Sequence, residues 1–202
     1  MIFLAAISVI SPHFILIGCW RQKFTLLWFY AAAGFITEML TFIVTEKQLI
    51  GNAFLLVEFI LVSLYYKKQV FKNITLFAII TTSVSLYFIL STLTKPFDYL
   101  NLEDASVFCL VYIIYGLMLF YKFLKKVPPE NFQHQLSILG INIAIFVYAS
   151  GALMLFLFSS LQLIQDKEDF YFLWGTLFPC LNIFRYSLIA IALYQKPKYI
   201  AE

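Results

Sequence analysis

The sequence predicts an all-α protein, a polytopic bundle of seven transmembrane helices, and three observations support this fold class. Hydrophobic residues make up 62% of the 202-residue chain and charged residues 12%, whereas a soluble domain has about 45–50% apolar and about 25% charged residues. The apolar residues come in long blocks rather than at the spacing of a globular core. Basic residues concentrate in alternate loops. These patterns are typical of a membrane-embedded helical bundle.

Seven apolar segments follow one another along the chain. Each is about 18–24 residues long, enough to cross a hydrocarbon core of about 30 Å at about 1.5 Å per residue. The connections are short, so we expect one transmembrane domain over residues 1–202. The segments cover residues 2–20, 24–45, 49–66, 74–93, 105–123, 136–158 and 171–194.

The first segment is predicted to be a retained helix. It begins MIFLAAISVISPHF and lacks the positive region that precedes the apolar run of a cleaved signal peptide. Cys19, Cys109 and Cys180 fall inside apolar runs without paired spacing, which favours small buried packing residues over disulfides or a metal site.

The distribution of basic residues predicts the orientation. Of the 14 Lys and Arg residues, ten lie in the loops after the first, third, fifth and seventh segments, three lie in the other loops, and Arg185 lies inside the last segment. Basic loops remain in the cytoplasm. We therefore expect the N-terminus outside and the C-terminus inside, in a bacterial cytoplasmic (inner) membrane.

Glu58 is the most informative residue in the sequence. It is the one charge within segment 49–66 and lies near its middle. An ionisable side chain at that depth costs at least about 2.5–3.5 kcal/mol and marks a functional site by default. Asn52 precedes it by six residues, or about 120° around the helix. We expect Asn52 to face a neighbouring helix end while Glu58 alone points into the bundle.

Other polar residues lie within the apolar segments. Helical rise places Glu58 about 14 Å and Arg185 about 21 Å from the outer surface, close enough for the two side chains to meet. Such a pair offsets much of the insertion cost of both residues. The candidates for a ligand site or polar core are Glu58, Arg185, Glu38, Asn52, Asn182, His13 and Asn142.

Three interpretations of these polar residues remain open. In the first interpretation the Glu58–Arg185 pair is a buried pair that fixes the register of the helices. In the second interpretation it forms the floor of a ligand pocket, or of a proton-sensitive site, that opens outward past Glu38 and Asn52. In the third interpretation Arg185 extends toward the inner surface and touches neither acid. A lone His13 is typical of a hydrogen-bonded packing residue.

Small residues and prolines in the segments indicate helix packing rather than chemistry. Ser150, Gly151 and Ala152 form a patch that admits close approach of a neighbouring helix, as does Gly34. Pro12 and Pro179 interrupt the first and last segments and predict tolerated kinks.

The sequence lacks the residues that several functional classes of membrane protein require. The seventh segment has no Lys for a retinal Schiff base, and two His residues do not provide a multi-His zinc site. P-loop, HExxH and GxSxG motifs are absent from the sequence. We expect no cofactor, no metal, no nucleic-acid partner and no histidine-kinase catalytic domain.

Four stretches resemble a family of small seven-helix membrane proteins common in Bacteroidetes-type bacteria. They are AGFITEML with Glu38, GNAFLLVEF with Asn52 and Glu58, YASGALMLF at 148–156, and LNIFRYSLIAIAL with Asn182 and Tyr186. The resemblance implies a receptor-like bundle with an outward-facing polar pocket, and some members look like detached sensory halves of membrane kinases. Arg185 departs from the usually apolar residue of that family.

These observations lead to a first functional hypothesis and two alternatives. The first is a non-enzymatic sensor or accessory module that relays to a cytoplasmic protein through basic loops such as KKQVFKN and KFLKKVPPENFQHQ. The alternatives are a transporter or channel subunit with a polar path from Asn52 to Asn142, and a lipid-directed enzyme or phage-defence accessory. Membrane lipids are expected partners because basic loops attract anionic lipid, and a homo-oligomer is compatible with the sequence.

Overall fold

The computed structural model describes residues 7, 10–13, 15, 25–43, 47–71, 73–95, 101–125, 132–160 and 173–194. The described residues are almost entirely helical, and no strand occurs among them. The all-α prediction is therefore confirmed for this part of the chain.

From residue 25 onward, six α-helices and one π-helical turn account for the regular structure of the described residues. The π turn, Leu173–Leu177, leads directly into the last helix. The α-helices are α1 (Thr25–Ile43), α2 (Lys47–Gln69), α3 (Ile74–Thr94), α4 (Leu102–Lys125), α5 (Phe132–Ser160) and α6 (Phe178–Tyr194).

Five stretches in the described part of the chain are long and apolar enough to cross a membrane. They are Gln48–Gln69, Ile74–Thr94, Glu103–Lys125, Gln135–Phe158 and Trp174–Tyr194. Within α1, the stretch Leu26–Thr37 is apolar but shorter. Segment 2–20 lies mostly outside the described residues, and the helical positions within it are 7, 10, 12, 13 and 15.

The start of α4 corrects the predicted boundary at residue 105. The helix begins at Leu102, and Asp104, expected in an outer loop, is only 5% exposed. Asn101 precedes the helix and its carbonyl accepts from Ala105 N at 3.1 Å. Glu103 and Asp104 occupy the first turn, where negative charge complements the helix dipole. These charged residues therefore start the helix rather than interrupt it.

The expected irregularity at Pro179 takes the form of a π turn. Pro179, which has no backbone N–H to donate, is the second residue of α6, and Leu173–Leu177 immediately before it is π-helical. A π turn contains one more residue than an α turn. The turn carries Trp174, which stacks on Phe156 of α5 with ring centroids 5.8 Å apart.

Five helices enclose the centre of the described bundle. α1 packs on α2, α2 on α4, α4 on α5, and α5 on α6, and Tyr30 of α1 meets Tyr186 of α6 at 5.9 Å between centroids. On α2 the buried Glu58, Val62 and Tyr66 recur every four residues, which places them on one face. α3 lies outside this group, against α2 and α4.

Glycines allow the helices to approach closely where α6 packs. A Cβ on Gly151 would lie 2.7 Å from Leu181 Cδ2, and one on Gly140 would lie 2.9 Å from Ala192 Cβ. The expected small-residue contact around Gly151 is thus present. Gly34 serves the same purpose, because a Cβ there would lie 2.9 Å from the Tyr186 hydroxyl.

Candidate functional site

Glu58 and Arg185 form an ion pair at the centre of the bundle. Arg185 Nη1 donates to Glu58 Oε1, which joins α2 to α6. The two residues are 3% and 2% exposed. The contact expected from their depths in the sequence is present, and Arg185 does not extend away from the acid.

The local sequence of α6 presents three polar side chains to this centre. Asn182, Arg185 and Tyr186 are spaced three and four residues apart and therefore share one helical face. Arg185 Nη2 donates to Asn182 Oδ1 at 2.8 Å and to the Tyr186 hydroxyl at 3.2 Å. These bonds hold the guanidinium in a single orientation.

Three tyrosine rings surround the guanidinium. The Arg185 Cζ atom lies 3.6 Å from the ring centroid of Tyr148, 4.7 Å from that of Tyr186 and 5.5 Å from that of Tyr30. Tyr30 also donates its hydroxyl to Glu58 Oε1 at 3.2 Å. Each ring stabilises the cation through its quadrupole, more strongly when the cation is desolvated. We call Tyr30, Tyr148 and Tyr186 the tyrosine cage.

The pair requires this support because both charges are removed from water. Desolvation of a buried ion costs several kcal/mol, and the attraction offsets that cost only with good geometry and further hydrogen bonds. The cage and Asn182 provide such contacts. One donor, Arg185 Nε, has no partner among the described residues, which is unusual for a buried charged group.

A cavity of about 150 Å³ lies directly against the pair. Glu58, Arg185, Asn182 and two cage tyrosines form its polar side. The remaining lining residues are mostly apolar or aromatic: Gly34, Thr37, Gly51, Phe54, Leu55, Phe156, Trp174 and Phe178. The cavity can therefore hold a small organic molecule whose polar end meets the pair.

Asn52 belongs to a different polar cluster. Its Oδ1 accepts from Asn101 N at 2.9 Å, at the residue before α4. Asn52 therefore faces a neighbouring helix end, as its rotation from Glu58 predicts.

The cluster beside Asn52 is centred on Asp104, which sequence reasoning placed in a loop. Asp104 accepts from Tyr87 at 2.7 Å, from Lys95 at 3.2 Å and from Ser91. Lys95 also donates to Asn101 at 2.6 Å. These contacts join α3 to the start of α4. Asn101, with Glu103 and Asp104 shortly after it, is a pattern typical of a helix N-terminus. This pattern is the sequence signal that could have predicted the cluster.

The other candidate residues do not line the cavity or lie outside the described side chains. Asn142 is fully buried; it accepts from the Tyr66 hydroxyl at 2.7 Å and donates to the Gly116 carbonyl at 3.2 Å. His13 contacts the Ile10 carbonyl at 3.1 Å and the Phe35 ring at 4.4 Å. Glu38 is a residue of α1 whose side chain is outside the described set.

The described part of the chain brings together no group of three or more His, Cys, Asp or Glu side chains that would bind a metal. Within that part, Cys109 is buried and Cys180 exposed, and both are free thiols. The lining residues of the cavity offer hydrogen bonding, ion pairing and aromatic contact.

The chain matches no protein-family model, no curated protein and no solved structure.

Proposed function

We propose that the protein is a ligand-sensing membrane module whose outward-facing cavity closes on the Glu58–Arg185 pair. The observation that supports it most directly is the cavity of about 150 Å³ against a fully buried ion pair. A ligand there contacts α2 and α6 at once. Binding therefore alters the contact that holds these two helices together.

The elements that line the cavity support an outward opening. Thr37 lies in the C-terminal half of α1, Gly51 near the start of α2, Phe156 near the end of α5, and Trp174 just before α6. These positions share one end of the bundle, the end with few basic residues. With basic loops in the cytoplasm, that end faces outward, in the seven-span arrangement with the N-terminus outside.

The packing beyond the pair favours sensing over transport. On the side of Arg185 away from the cavity, Ile189 and Leu193 of α6 are fully buried, as are Tyr66 and Asn142. Tyr66 and Asn142 bond to each other at 2.7 Å. The described residues thus close the bundle below the pair, whereas a transporter needs a polar path through it.

The basic end provides the surface for the relay. α2 ends in Lys67 and Lys68, and Lys122 of α4 donates to the Gln69 carbonyl. A movement of α2 relative to α6 at the cavity therefore reaches the positively charged end. We propose that a cytoplasmic protein reads this end and that anionic lipid also contacts it.

Filling the cavity by mutation tests the relay without knowledge of the ligand. Gly51 lines the cavity on α2, and Gly51→Leu adds a side chain there; Ala53→Leu adds comparable bulk on the exposed face of the same helix. Spin labels at Lys68→Cys and Tyr194→Cys report the distance between the C-terminal ends of α2 and α6. We expect Gly51→Leu to shift the distance distribution and Ala53→Leu to leave it unchanged.

The result that contradicts the relay is an identical distance distribution in wild type and Gly51→Leu. A liposome flux assay addresses the alternative: ion or solute movement above that of empty vesicles would favour a transporter. The sensing proposal predicts no such movement with verified reconstitution.

A further inference from the structure

We propose that the ligand is a compact, electrically neutral molecule about the size of one aromatic ring, with a polar end that both donates and accepts hydrogen bonds. This inference rests on the proposed sensing function and specifies the ligand of the same cavity. Three features of the site support it: the volume, the charge balance, and one polar atom each on Glu58 and Asn182 that has no partner among the described residues.

The volume of the cavity limits the size of the ligand, and the aromatic lining residues indicate that part of the ligand is apolar. The cavity holds about 150 Å³, and an apolar cavity of about that volume in another protein admits benzene. Phe54, Phe156, Trp174 and Phe178 line it. Trp174 and Phe178 lie 5.2 Å apart between ring centroids. One ring or a short branched chain therefore fills the space, and a long lipid tail does not fit within it.

The charge balance excludes a net charge on the ligand. Arg185 and Glu58 neutralise each other, and the other polar side chains of the lining, Thr37, Asn182, Tyr148 and Tyr186, are uncharged. An added charge would have no counter-charge among the described lining residues. A buried charge without a partner is strongly unfavourable.

The unpartnered polar atoms define the polar end. The contacts that Glu58 makes with described residues, those from Tyr30 and Arg185, both fall on Oε1. Its other carboxylate oxygen is thus an acceptor without a partner in that set. Asn182 directs Oδ1 to Arg185, so its amide nitrogen points elsewhere and has no hydrogen-bond acceptor among the described residues. Asn182 is 8% exposed and lines the cavity.

A hydroxyl or a primary amide satisfies both atoms. Its hydrogen is donated to the Glu58 carboxylate, and its oxygen accepts from the Asn182 amide. A purely apolar molecule of the same size leaves both atoms unsatisfied, at a cost typical of buried polar groups.

Four compounds of nearly the same shape separate these requirements. Benzamide is neutral with a donor and an acceptor, benzoate is an anion, benzamidinium is a cation, and isopropylbenzene has no polar end. The protein has three Trp residues, so Trp20→Phe and Trp28→Phe leave Trp174 in the cavity wall as the sole indole. Its emission, measured on the full chain in nanodiscs, reports binding. We expect benzamide to bind at least tenfold more tightly than each of the other three.

Two variants separate cavity binding from partition into lipid. Gly51→Leu should remove the saturable change in Trp174 emission, and Ala53→Leu should retain it. Thermal unfolding of both variants verifies that they are folded.

A third variant tests the polar contact: Asn182→Leu should reduce the preference for benzamide over isopropylbenzene while isopropylbenzene still binds.

The outcomes distinguish the ligand class from the proposed function. Benzoate, benzamidinium or isopropylbenzene binding as tightly as benzamide would overturn the ligand class and leave a ligand-binding cavity. Loss of benzamide binding in Ala53→Leu to the same extent as in Gly51→Leu would also overturn the assignment to this cavity. If no compound binds, the ligand class is wrong, and the spin-label distances in Gly51→Leu then decide whether the sensing function fails with it.

Discussion

At the scale of single residues, Arg185 organises the centre of the molecule. It bonds Glu58, Asn182 and Tyr186 and lies 3.6 Å over the Tyr148 ring. A pair that served only to fix helix register would be expected to satisfy all of its donors, yet Nε has no partner among the described residues. The incomplete bonding and the adjacent cavity together favour a binding role in addition to a structural one.

A double-mutant cycle measures how strongly the pair is coupled. Glu58→Gln and Arg185→Gln should each lower the free energy of unfolding by about 3–5 kcal/mol, because each leaves a buried charge without its partner. The double mutant should lose less than the sum of the two, since neither charge then remains. Unfolding of the four proteins in mixed micelles with increasing SDS supplies the measurement.

Glu103→Gln provides the control for this cycle, because the Glu103 side chain is 50% exposed and contacts Lys95 at 3.5 Å. It should change the free energy of unfolding by less than about 0.5 kcal/mol. Additive effects of the two buried substitutions would show that Glu58 and Arg185 do not interact in the folded protein.

The ion pair was a hypothesis from the sequence, beside the alternative in which Arg185 touches neither acid, and its surroundings were not predicted. Glu58 and Arg185 stand out because a charge within an apolar run is rare and its depth follows from helical rise. The tyrosine cage does not stand out, because Tyr30, Tyr148 and Tyr186 are three of 13 tyrosines in a chain that is 19% aromatic. Which rings face the guanidinium depends on helix rotation and on contacts between distant segments.

At the scale of the elements, α3 depends on few contacts for its position. Much of its surface is exposed in the described chain, including Ile79, Leu90 and Leu93. Its polar attachment is the Asp104 cluster, in which Tyr87, Ser91 and Lys95 all meet one carboxylate. Asp104 accepts three of the hydrogen bonds that hold the end of α3, and Asn101 adds bonds to Thr92 and Lys95.

Asp104→Asn should therefore destabilise the protein by about 1.5–3 kcal/mol, the usual contribution of hydrogen bonds to a charged group. The substitution retains the shape of the side chain and removes its charge. Hydrogen exchange should increase first in the last turns of α3. Glu103→Gln, on the adjacent residue, should show neither effect, and equal effects of the two changes would contradict the assignment of Asp104 as the anchor.

At the scale of the whole molecule, the boundaries of the apolar helices could be predicted from the sequence, whereas the packing of the helices against one another could not. Long apolar runs defined α2 to α5, and the π turn together with α6, to within about four residues, since apolar runs and polar loops differ sharply in composition. The start of α4 shifted because Glu103 and Asp104 resemble loop residues but occupy the first turn of a helix. The arrangement of five helices around the centre, with α3 outside, depends on contacts between distant segments. A single sequence does not show which segments these are.

The proposed orientation predicts which end of α4 is accessible to a membrane-impermeant reagent in intact cells. Leu124, at one end, is 86% exposed, and Glu103 lies at the other. In a background with Cys19, Cys109 and Cys180 replaced by Ala, Glu103→Cys should react with a membrane-impermeant maleimide. Leu124→Cys should react only after the membrane is permeabilised. The reverse pattern would overturn the orientation and place the cavity on the cytoplasmic side.

The separation of Glu58 and Arg185 along the chain has a consequence for biosynthesis. The two residues are 127 positions apart, and at about 5–20 residues per second a ribosome needs roughly 6–25 s to travel from one codon to the other. During that interval Glu58 of α2 has no Arg185 with which to form an ion pair. Completion of the buried centre therefore waits for α6, and a nascent chain that stops before Arg185 has Glu58 without its counter-charge.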